Sequence, residues 1–188
     1  MQYQLKITLN HTEPAIWRRI LVPSDLQLST LHYVIQLAMG WGNDHLYNFK
    51  IGKRIIDGLT PMGDVLDNGG DERPNANEVA LSEVAKRVGS KLEYEYDFGD
   101  CWIHQLVVEK RVEDGDAKDG KGVITCTDGE GACPPEDCGG VYAYYRIVDI
   151  LSAPDHPDYK RTKEWWGWYE AKEFDLAAVN AKLLERFS

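Results

Sequence analysis

The chain has 188 residues, of which 43% are hydrophobic and 28% charged, and its formal net charge at pH 7 is −10. This composition is typical of a folded globular domain and excludes a largely disordered protein. The negative charge argues against a general nucleic-acid-binding protein, because phosphate contacts need a basic surface. We expect a cytoplasmic protein without a membrane association, because neither a signal peptide nor an apolar run of roughly 18 residues is found.

The first third of the chain predicts two strands, a helix and a third strand. Hydrophobic residues alternate over residues 3–9 and again over 15–22, which predicts an antiparallel pair. A helical spacing of apolar residues follows, and we expect this helix to begin after an N-cap at Ser29 and to end at Gly40. Alternation over residues 47–51 predicts the third strand.

The middle of the chain predicts an irregular excursion and then a β-hairpin. Residues 52–80 are rich in Gly, Asp and Asn, so we expect at most short structure there. A short helix is predicted from Ser82 to Val88. Two extended runs within residues 91–112 predict a hairpin, with its tight turn at Gly99-Asp100.

The last third predicts helices. Residues 123–140 are expected to be irregular, residues 140–152 have an apolar helical face, and Asp175 is expected to cap a final helix. The sum is a single α+β domain spanning residues 1–188. We expect a mixed or antiparallel sheet with a β-grasp-like (ubiquitin-like) ββαβ half and C-terminal helices.

The hairpin contains Asp97-Phe98-Gly99, the triplet that holds magnesium in protein kinases. A kinase also needs a glycine-rich loop, a strand lysine and a catalytic-loop Asp and Asn, and the sequence has none of these. What the hairpin does offer is Asp97, Asp100 and His104. Two carboxylates and an imidazole bind a divalent metal or perform acid–base chemistry. The alternative is a structural turn whose carboxylates accept backbone N–H groups.

Three of the four cysteines lie in a short irregular stretch, as Cys126, Cys133 and Cys138. Their spacing is looser than the paired knuckles of a structural zinc site, so a zinc site and buried thiols both stay open. We expect the thiols to be reduced. The candidate metal ligands are Asp97, Asp100, His104, Cys133 and Cys138.

Three further groups of residues are candidates for function. Asp44 and His45 lie between a helix and a strand, where they either act or orient the junction. A second group either forms a recognition surface or docks the terminal helix; it comprises Trp165, Trp166, Trp168 and Tyr169. Arg18 and Arg19 are the candidates for nucleic-acid contact.

Four stretches occur in an order that resembles a known family: PAIWRRILVP, HLYNFKIG, YEYDFGDCWIHQLVVEK and ACPPEDCGGVYAYY. They resemble the plasmid pRiA4b ORF-3-like family, whose members are linked by name to passenger proteins of IS-1096-type elements. The resemblance implies a prokaryotic α+β domain often found on or near mobile DNA, and it implies no established activity. The positions that match the family pattern are Trp17, Arg18, His45, Asp97, Gly99, Asp100, Trp102, His104, Pro134, Pro135, Glu136, Asp137, Gly139 and Gly140.

The first functional hypothesis is a binding or accessory domain without catalysis, whose partner is a protein or a small ligand. Its candidate surface consists of Asp44, His45, Asp97, Asp100, His104, Glu136 and Asp137. The alternative is a metal-dependent, hydrolase-like enzyme that uses an Asp/His/Glu cluster with a divalent metal. A third hypothesis is a DNA-associated accessory factor acting through Arg18 and Arg19. No cofactor is established by the sequence.

Overall fold

A computed structural model of the chain describes residues 1–60, 64, 73–113, 123–169 and 173–188. Within these residues, seven strands form one sheet in the order β4-β3-β5-β6-β1-β2-β7, and every pair of neighbours is antiparallel. The strands are β1 (Gln2–Leu9), β2 (Trp17–Pro23), β3 (Tyr47–Ile51), β4 (Arg54–Asp57), β5 (Lys91–Tyr96), β6 (Trp102–Val112) and β7 (Thr125–Glu130).

Five helices accompany the sheet in the described part of the chain. They are α1 (Leu28–Met39), α2 (Leu81–Val84), α3 (Gly140–Ser152), α4 (Tyr159–Trp166) and α5 (Leu176–Phe187). Helix α1 is buried along most of its length, α5 packs against both β7 and α1, and α4 packs against α3. None of these helices combines the length and the apolar composition needed to cross a bilayer.

The predicted α+β class and antiparallel sheet are confirmed, whereas the β-grasp-like half is not. Strand β1 pairs antiparallel with β2 and with β6, which lies about a hundred residues further along the chain. Strand β3 lies away from β1, between β4 and β5. Strands β5 and β6 separate β3 from β1 and β2 in the sheet, so the β-grasp-like half stays a prediction.

Two strands fall where we predicted irregular structure. Strand β7 has the sequence Thr-Cys-Thr-Asp-Gly-Glu, and only Cys126 in it is buried, so the stretch has no apolar alternation. It is extended because it pairs with the edge of β2. Strand β4 pairs with β3 across a short turn at Gly52. The extended conformation of β7 is thus imposed by a strand far away in the chain, whereas β4 is the second strand of a local hairpin.

The helix ends agree with the sequence at some caps and not at others. The prediction that α1 begins after Ser29 was wrong, because Gln27 is the N-cap. There the N–H groups of Leu28 and Ser29 donate to the carbonyls of Val79 and Ala76, so no side-chain cap is needed. The end of α1 at Gly40 is confirmed, with a φ of 103°.

Two further helix predictions have different outcomes. The N-cap of α5 is confirmed: the carboxylate of Asp175 accepts a hydrogen bond of 2.9 Å from the N–H of Ala178. Helix α2 covers Leu81–Val84 and is shorter than the predicted segment from Ser82 to Val88. Its N-cap is Ala80, whose N–H donates to the carboxylate of Glu83.

The predicted hairpin is confirmed as β5 and β6, but its turn differs from the prediction. Tyr96 pairs with Trp102, so the connection runs over residues 97–101 and is longer than a two-residue turn. The N–H of Cys101 closes it by donating to the carbonyl of Asp97 over 2.7 Å. Both of these residues have left-handed backbones, with φ of 54° and 55° respectively.

Candidate functional site

Three connections of the fold meet at one place, which we call the three-loop junction. They are residues 41–46 between α1 and β3, residues 97–101 at the hairpin tip, and residues 131–139 between β7 and α3. The indole N–H of Trp41 donates to the carbonyl of Pro134 over 3.0 Å. The N–H of Asp97 donates to the carbonyl of Leu46 over 2.9 Å. The junction is therefore held by hydrogen bonds between segments distant in sequence.

Glu136 ties all three segments together. One of its carboxylate oxygens accepts the phenol O–H of Tyr96, and the other accepts the N–H of Gly42 over 2.8 Å. The Tyr96 oxygen itself accepts the N–H of Asp44 over 3.0 Å. Burial, and then the neighbouring carboxylate of Glu136, raise the pKa of Tyr96 far above its usual value. The phenol therefore keeps the proton that it donates.

Three side chains of the junction converge on one point, and we call them the acid–histidine cluster: His45, Asp97 and Asp137. One ligand atom from each lies within 4.8 Å of the other two. Nε2 of His45 is 3.2 Å from Oδ1 of Asp137 and 3.8 Å from Oδ2 of Asp97. This nitrogen is shielded from solvent and makes no hydrogen bond within the described part of the chain.

The carboxylates of the junction outnumber its cations. Asp44, Asp97, Asp100, Glu136 and Asp137 lie in the three segments. In the described part of the chain, none of them has a Lys or Arg nitrogen within 4.0 Å. Like charges gathered without a counter-charge repel one another, so the junction favours an added cation.

The backbone at the junction is unusually strained. Five residues other than glycine have positive φ in the described part of the chain, and four of them lie here. Those four are Asn43, Asp97, Cys101 and Asp137. Such conformations cost of order 1–3 kcal/mol each and concentrate at functional sites. The strain places Asp97 and Asp137, two of the cluster's three members, in left-handed positions.

Two predicted site residues, Asp100 and Asp44, shape the junction instead of joining the cluster. The carboxylate of Asp100 accepts the N–H of Gly139 over 2.9 Å. A Cβ on Gly140 would lie 2.5 Å from the carbonyl oxygen of Asp100, so only glycine fits where the hairpin tip meets α3. The N–H of Asp44 donates to the Tyr96 oxygen, and its carboxylate lies beside Gly42, 2.9 Å from where a Cβ would stand.

His104 is placed away from the cluster, contrary to its inclusion among the candidate ligands. It is fully buried, and its Nδ1 donates to the carbonyl of Trp102 over 3.0 Å. Burial lowers the pKa of His104 to about 4, so it is neutral at pH 7. The alternation of β6 explains this placement, because His104 shares the core face with Trp102 and Leu106.

The predicted five-residue metal set does not come together. Of its members only Asp97 belongs to the acid–histidine cluster, which is the one group of three metal-ligating side chains among the described residues. Cys133 and Cys138 are free thiols, and burial raises the pKa of Cys138 to about 12. His45 and Asp137 were in the predicted surface but not among the predicted ligands.

The two arginines predicted to contact nucleic acid are occupied within the fold. The guanidinium of Arg18 is buried and donates to the carbonyls of Ala38, Trp17, Glu130 and Gly131 over 2.8 to 3.0 Å. Arg19 pairs with Glu109 at 2.7 Å and with Asp128 at 2.8 Å. Neither guanidinium is left free to bind a phosphate, so the structure gives the DNA hypothesis no support.

A second polar group, which no pattern in the sequence predicted, lies just inside the junction. We call it the hydrogen-bonded ring: His32, Gln36, Asn43 and Tyr94. The amide of Gln36 donates to the Tyr94 oxygen over 3.0 Å, and the Tyr94 O–H is 2.7 Å from Nδ1 of His32. Nε2 of His32 donates to the side-chain oxygen of Asn43. The backbone N–H of Asn43 in turn donates to the side-chain oxygen of Gln36 over 3.1 Å.

The ring fixes the charge of His32 as well as its position. Tyr94 has one hydroxyl proton, which Nδ1 accepts, so the imidazole is neutral with its proton on Nε2. Burial lowers the pKa of His32 to about 4. The imidazole also stacks on the ring of Tyr47 at 3.6 Å between centroids. Asn43 is a member of the hydrogen-bonded ring and lies two residues before His45. The hydrogen-bonded ring therefore fixes the segment that carries His45.

Comparisons with known proteins bear on the whole chain. The model of the plasmid pRiA4b ORF-3-like protein family matches residues 1–182. The uncharacterised protein y4hQ of Sinorhizobium fredii is 37% identical over 184 residues, covering 97% of this chain and 88% of that protein. The crystal structure of MM3350, a protein of unknown function from Methanosarcina mazei Go1, has a TM-score of 0.78 at 31% identity, covering 95% of this chain and 96% of that one. The chain therefore belongs to the plasmid pRiA4b ORF-3-like family.

Proposed function

We propose that this protein is a divalent-cation-binding domain and that His45, Asp97 and Asp137 hold the ion. The observation that carries the proposal is the convergence of three ligand atoms within 4.8 Å around a shielded imidazole nitrogen with no hydrogen-bond partner. The proposal develops the binding-domain hypothesis and narrows its ligand to a cation. The free thiols of the chain fit a cytoplasmic location.

The donor set suits a first-row transition metal. One imidazole nitrogen and two carboxylate oxygens are a mixed ligand set, which Mn²⁺, Fe²⁺ and Zn²⁺ accept more readily than Ca²⁺. The two carboxylates of Asp97 and Asp137 balance the charge of a divalent ion. The neighbouring carboxylate of Glu136 makes the electrostatic potential there more negative. The side chain of Asp137 is 75% exposed, so an ion has a route from solvent.

Calorimetric titration of Mn²⁺ and of Zn²⁺ into the protein tests the proposal. We expect one ion per chain for the wild type and loss of that binding in His45→Gln and Asp97→Asn. In Asp97→Asn the side chain keeps an oxygen, Oδ1, that can accept the Gly99 N–H. Asparagine also tolerates the left-handed backbone, so this variant should fold. Asp155→Asn, which changes an exposed carboxylate outside the junction, is the matched control.

Two results would contradict the proposal. Binding that is equally strong in the site variants and in Asp155→Asn would show non-specific attraction to an acidic chain. No uptake of either ion by the wild type would mean that the cluster is not a metal site. Circular dichroism of each variant separates loss of ligand from loss of fold.

A second candidate function, metal-dependent hydrolysis, follows from the number of ligands. Three protein ligands leave positions on the ion for water and substrate, as in catalytic metal sites. Asp100 and Glu136 lie in the same junction, but their hydrogen bonds give them structural roles. Screening the metal-loaded protein against phosphoester and amide substrates, with Asp97→Asn as the inactive control, tests this candidate.

A further inference from the structure

A groove of about 260 Å³ lies between α3 and α4. Its apolar lining comes from both helices and comprises Ala143, Ile147, Ile150, Trp165 and Trp166. Cys138, the residue after Asp137, also lines the groove. The groove has the size of one or two side chains, so an apolar side chain of a partner fits it.

The tryptophan-rich segment beside the groove divides into docked and exposed residues. Trp166 and Tyr169 are partly buried against the core, and the Tyr169 hydroxyl donates to the carbonyl of Cys133 over 3.0 Å. Trp165 and Trp168 are 71% and 67% exposed. The Trp168 indole N–H donates to the carbonyl of Trp165 over 2.8 Å, so the two exposed residues are linked by a hydrogen bond. Exposed tryptophans on an ordered scaffold are typical of binding hot spots.

The charge beside the groove is opposite in sign to that of the whole chain. Arg146 lies 3.5 Å from Asp158, and Arg161 lies 3.9 Å from the same carboxylate. Both arginine side chains are more than 70% exposed, and two guanidinium groups share one carboxylate. The charged residues that line the groove, two arginines and one aspartate, therefore leave one positive charge for an anionic group.

We propose that this groove binds an acidic peptide segment of a partner protein, with one apolar side chain in the groove and carboxylates on Arg146 and Arg161. Trp165 covers the apolar side chain. A carboxylate pairs with an arginine in a two-pronged hydrogen bond, and Trp and Arg are the residues that most often dominate protein interfaces. A nucleic acid fits less well, because phosphates do not fill an apolar groove and the chain has a net charge of −10.

Fluorescence anisotropy with the labelled peptide acetyl-Glu-Glu-Leu-Phe-Glu-Glu-amide tests the proposal on the full chain. We expect saturable binding that weakens with salt, and we expect Trp165→Ala and Arg161→Glu each to raise the Kd about tenfold or more. The matched controls change equally exposed residues elsewhere: Leu184→Ala on α5 and Arg87→Glu before β5. Both should leave the Kd unchanged.

Charge reversal sharpens the test, because Arg161→Glu should prefer a peptide in which lysines replace the glutamates. Equal affinity of all variants for the acidic peptide, or no binding by the wild type, would overturn the proposal. Tighter binding of a single-stranded oligothymidylate than of the peptide, lost in Trp165→Ala, would replace the peptide with a nucleic acid. The inference does not depend on the cation site, since none of the cluster side chains lines the groove.

Discussion

The hydrogen-bonded ring and the acid–histidine cluster lie side by side and use similar residues in opposite ways. In the hydrogen-bonded ring, each of the four hydrogen bonds joins a donor of one member to an acceptor of the next, and His32 stays neutral. The cluster brings two carboxylates to an imidazole nitrogen that no hydrogen bond satisfies. Asn43 belongs to the ring and His45 to the cluster, only two residues apart in the chain.

The difference separates a structural polar group from a functional one. A buried network whose members all have partners specifies one conformation and offers nothing to a ligand. A cluster with surplus acceptors destabilises the chain unless a cation joins it. Changes in the ring should therefore affect stability, and changes in the cluster should affect binding.

Acidification should produce the largest effect, through His32 and His104. Burial lowers both pKa values from 6.5 to about 4, so the unfolded chain binds more protons between these pH values. Stability is then complete above pH 6.5 and is lost as the pH falls towards 4. We expect the free energy of unfolding to fall by about 5 kcal/mol between pH 7 and pH 4.5, within a factor of two. Urea denaturation at both pH values measures it, and an unchanged midpoint would contradict two neutral, buried histidines.

The substitution His32→Leu should have the next largest effect. It leaves the Tyr94 hydroxyl and the Asn43 amide without their partner and removes the stacking on Tyr47. We expect a loss of about 3 kcal/mol in the free energy of unfolding, measured by urea denaturation. Gln105→Leu on the exposed face of β6 should cost less than about 0.5 kcal/mol. Similar losses for both variants would mean that the ring is not a stabilising unit.

The substitution Tyr96→Phe should have a smaller effect on stability and should also weaken cation binding. It removes the hydroxyl that donates to Glu136 and accepts from the Asp44 N–H. We expect a loss of about 1–2 kcal/mol in stability and a severalfold weaker cation affinity, because the loops that carry His45 and Asp137 lose a link. Calorimetry and urea denaturation measure the two effects. Tyr142→Phe, at a residue that is 82% exposed, should change neither.

The substitution Asp137→Asn should have the smallest effect on stability and a clear effect on binding. Its side chain is 75% exposed, and removing one of several crowded negative charges costs the apo fold little. We expect a change within about 0.5 kcal/mol of the wild type together with loss of the thermal stabilisation that added Mn²⁺ or Zn²⁺ gives. A large destabilisation without metal would instead place Asp137 among the structural residues.

Local patterns in the sequence were sufficient for most of the elements. Alternation over residues 3–9 and 91–112 and the helical spacing before Gly40 reflect side chains that repeat within one element. The same alternation places His104 on the core face of β6 beside Trp102. The predicted ligand set grouped this histidine with Asp97 across the turn of the hairpin, whereas His104 is buried in the core and Asp97 meets His45 and Asp137.

The sequence by itself determined the family, the α+β class and the residues from which the site is drawn, because these depend on motifs and on periods of two and 3.6 residues. Only the tertiary structure decided that β1 pairs with β6, that β7 is a strand, and that His45 meets Asp97 and Asp137. The physical reason is that these contacts join segments far apart in the chain. Their geometry depends on left-handed backbone turns at Asp97 and Asp137, which no local pattern of hydrophobicity records.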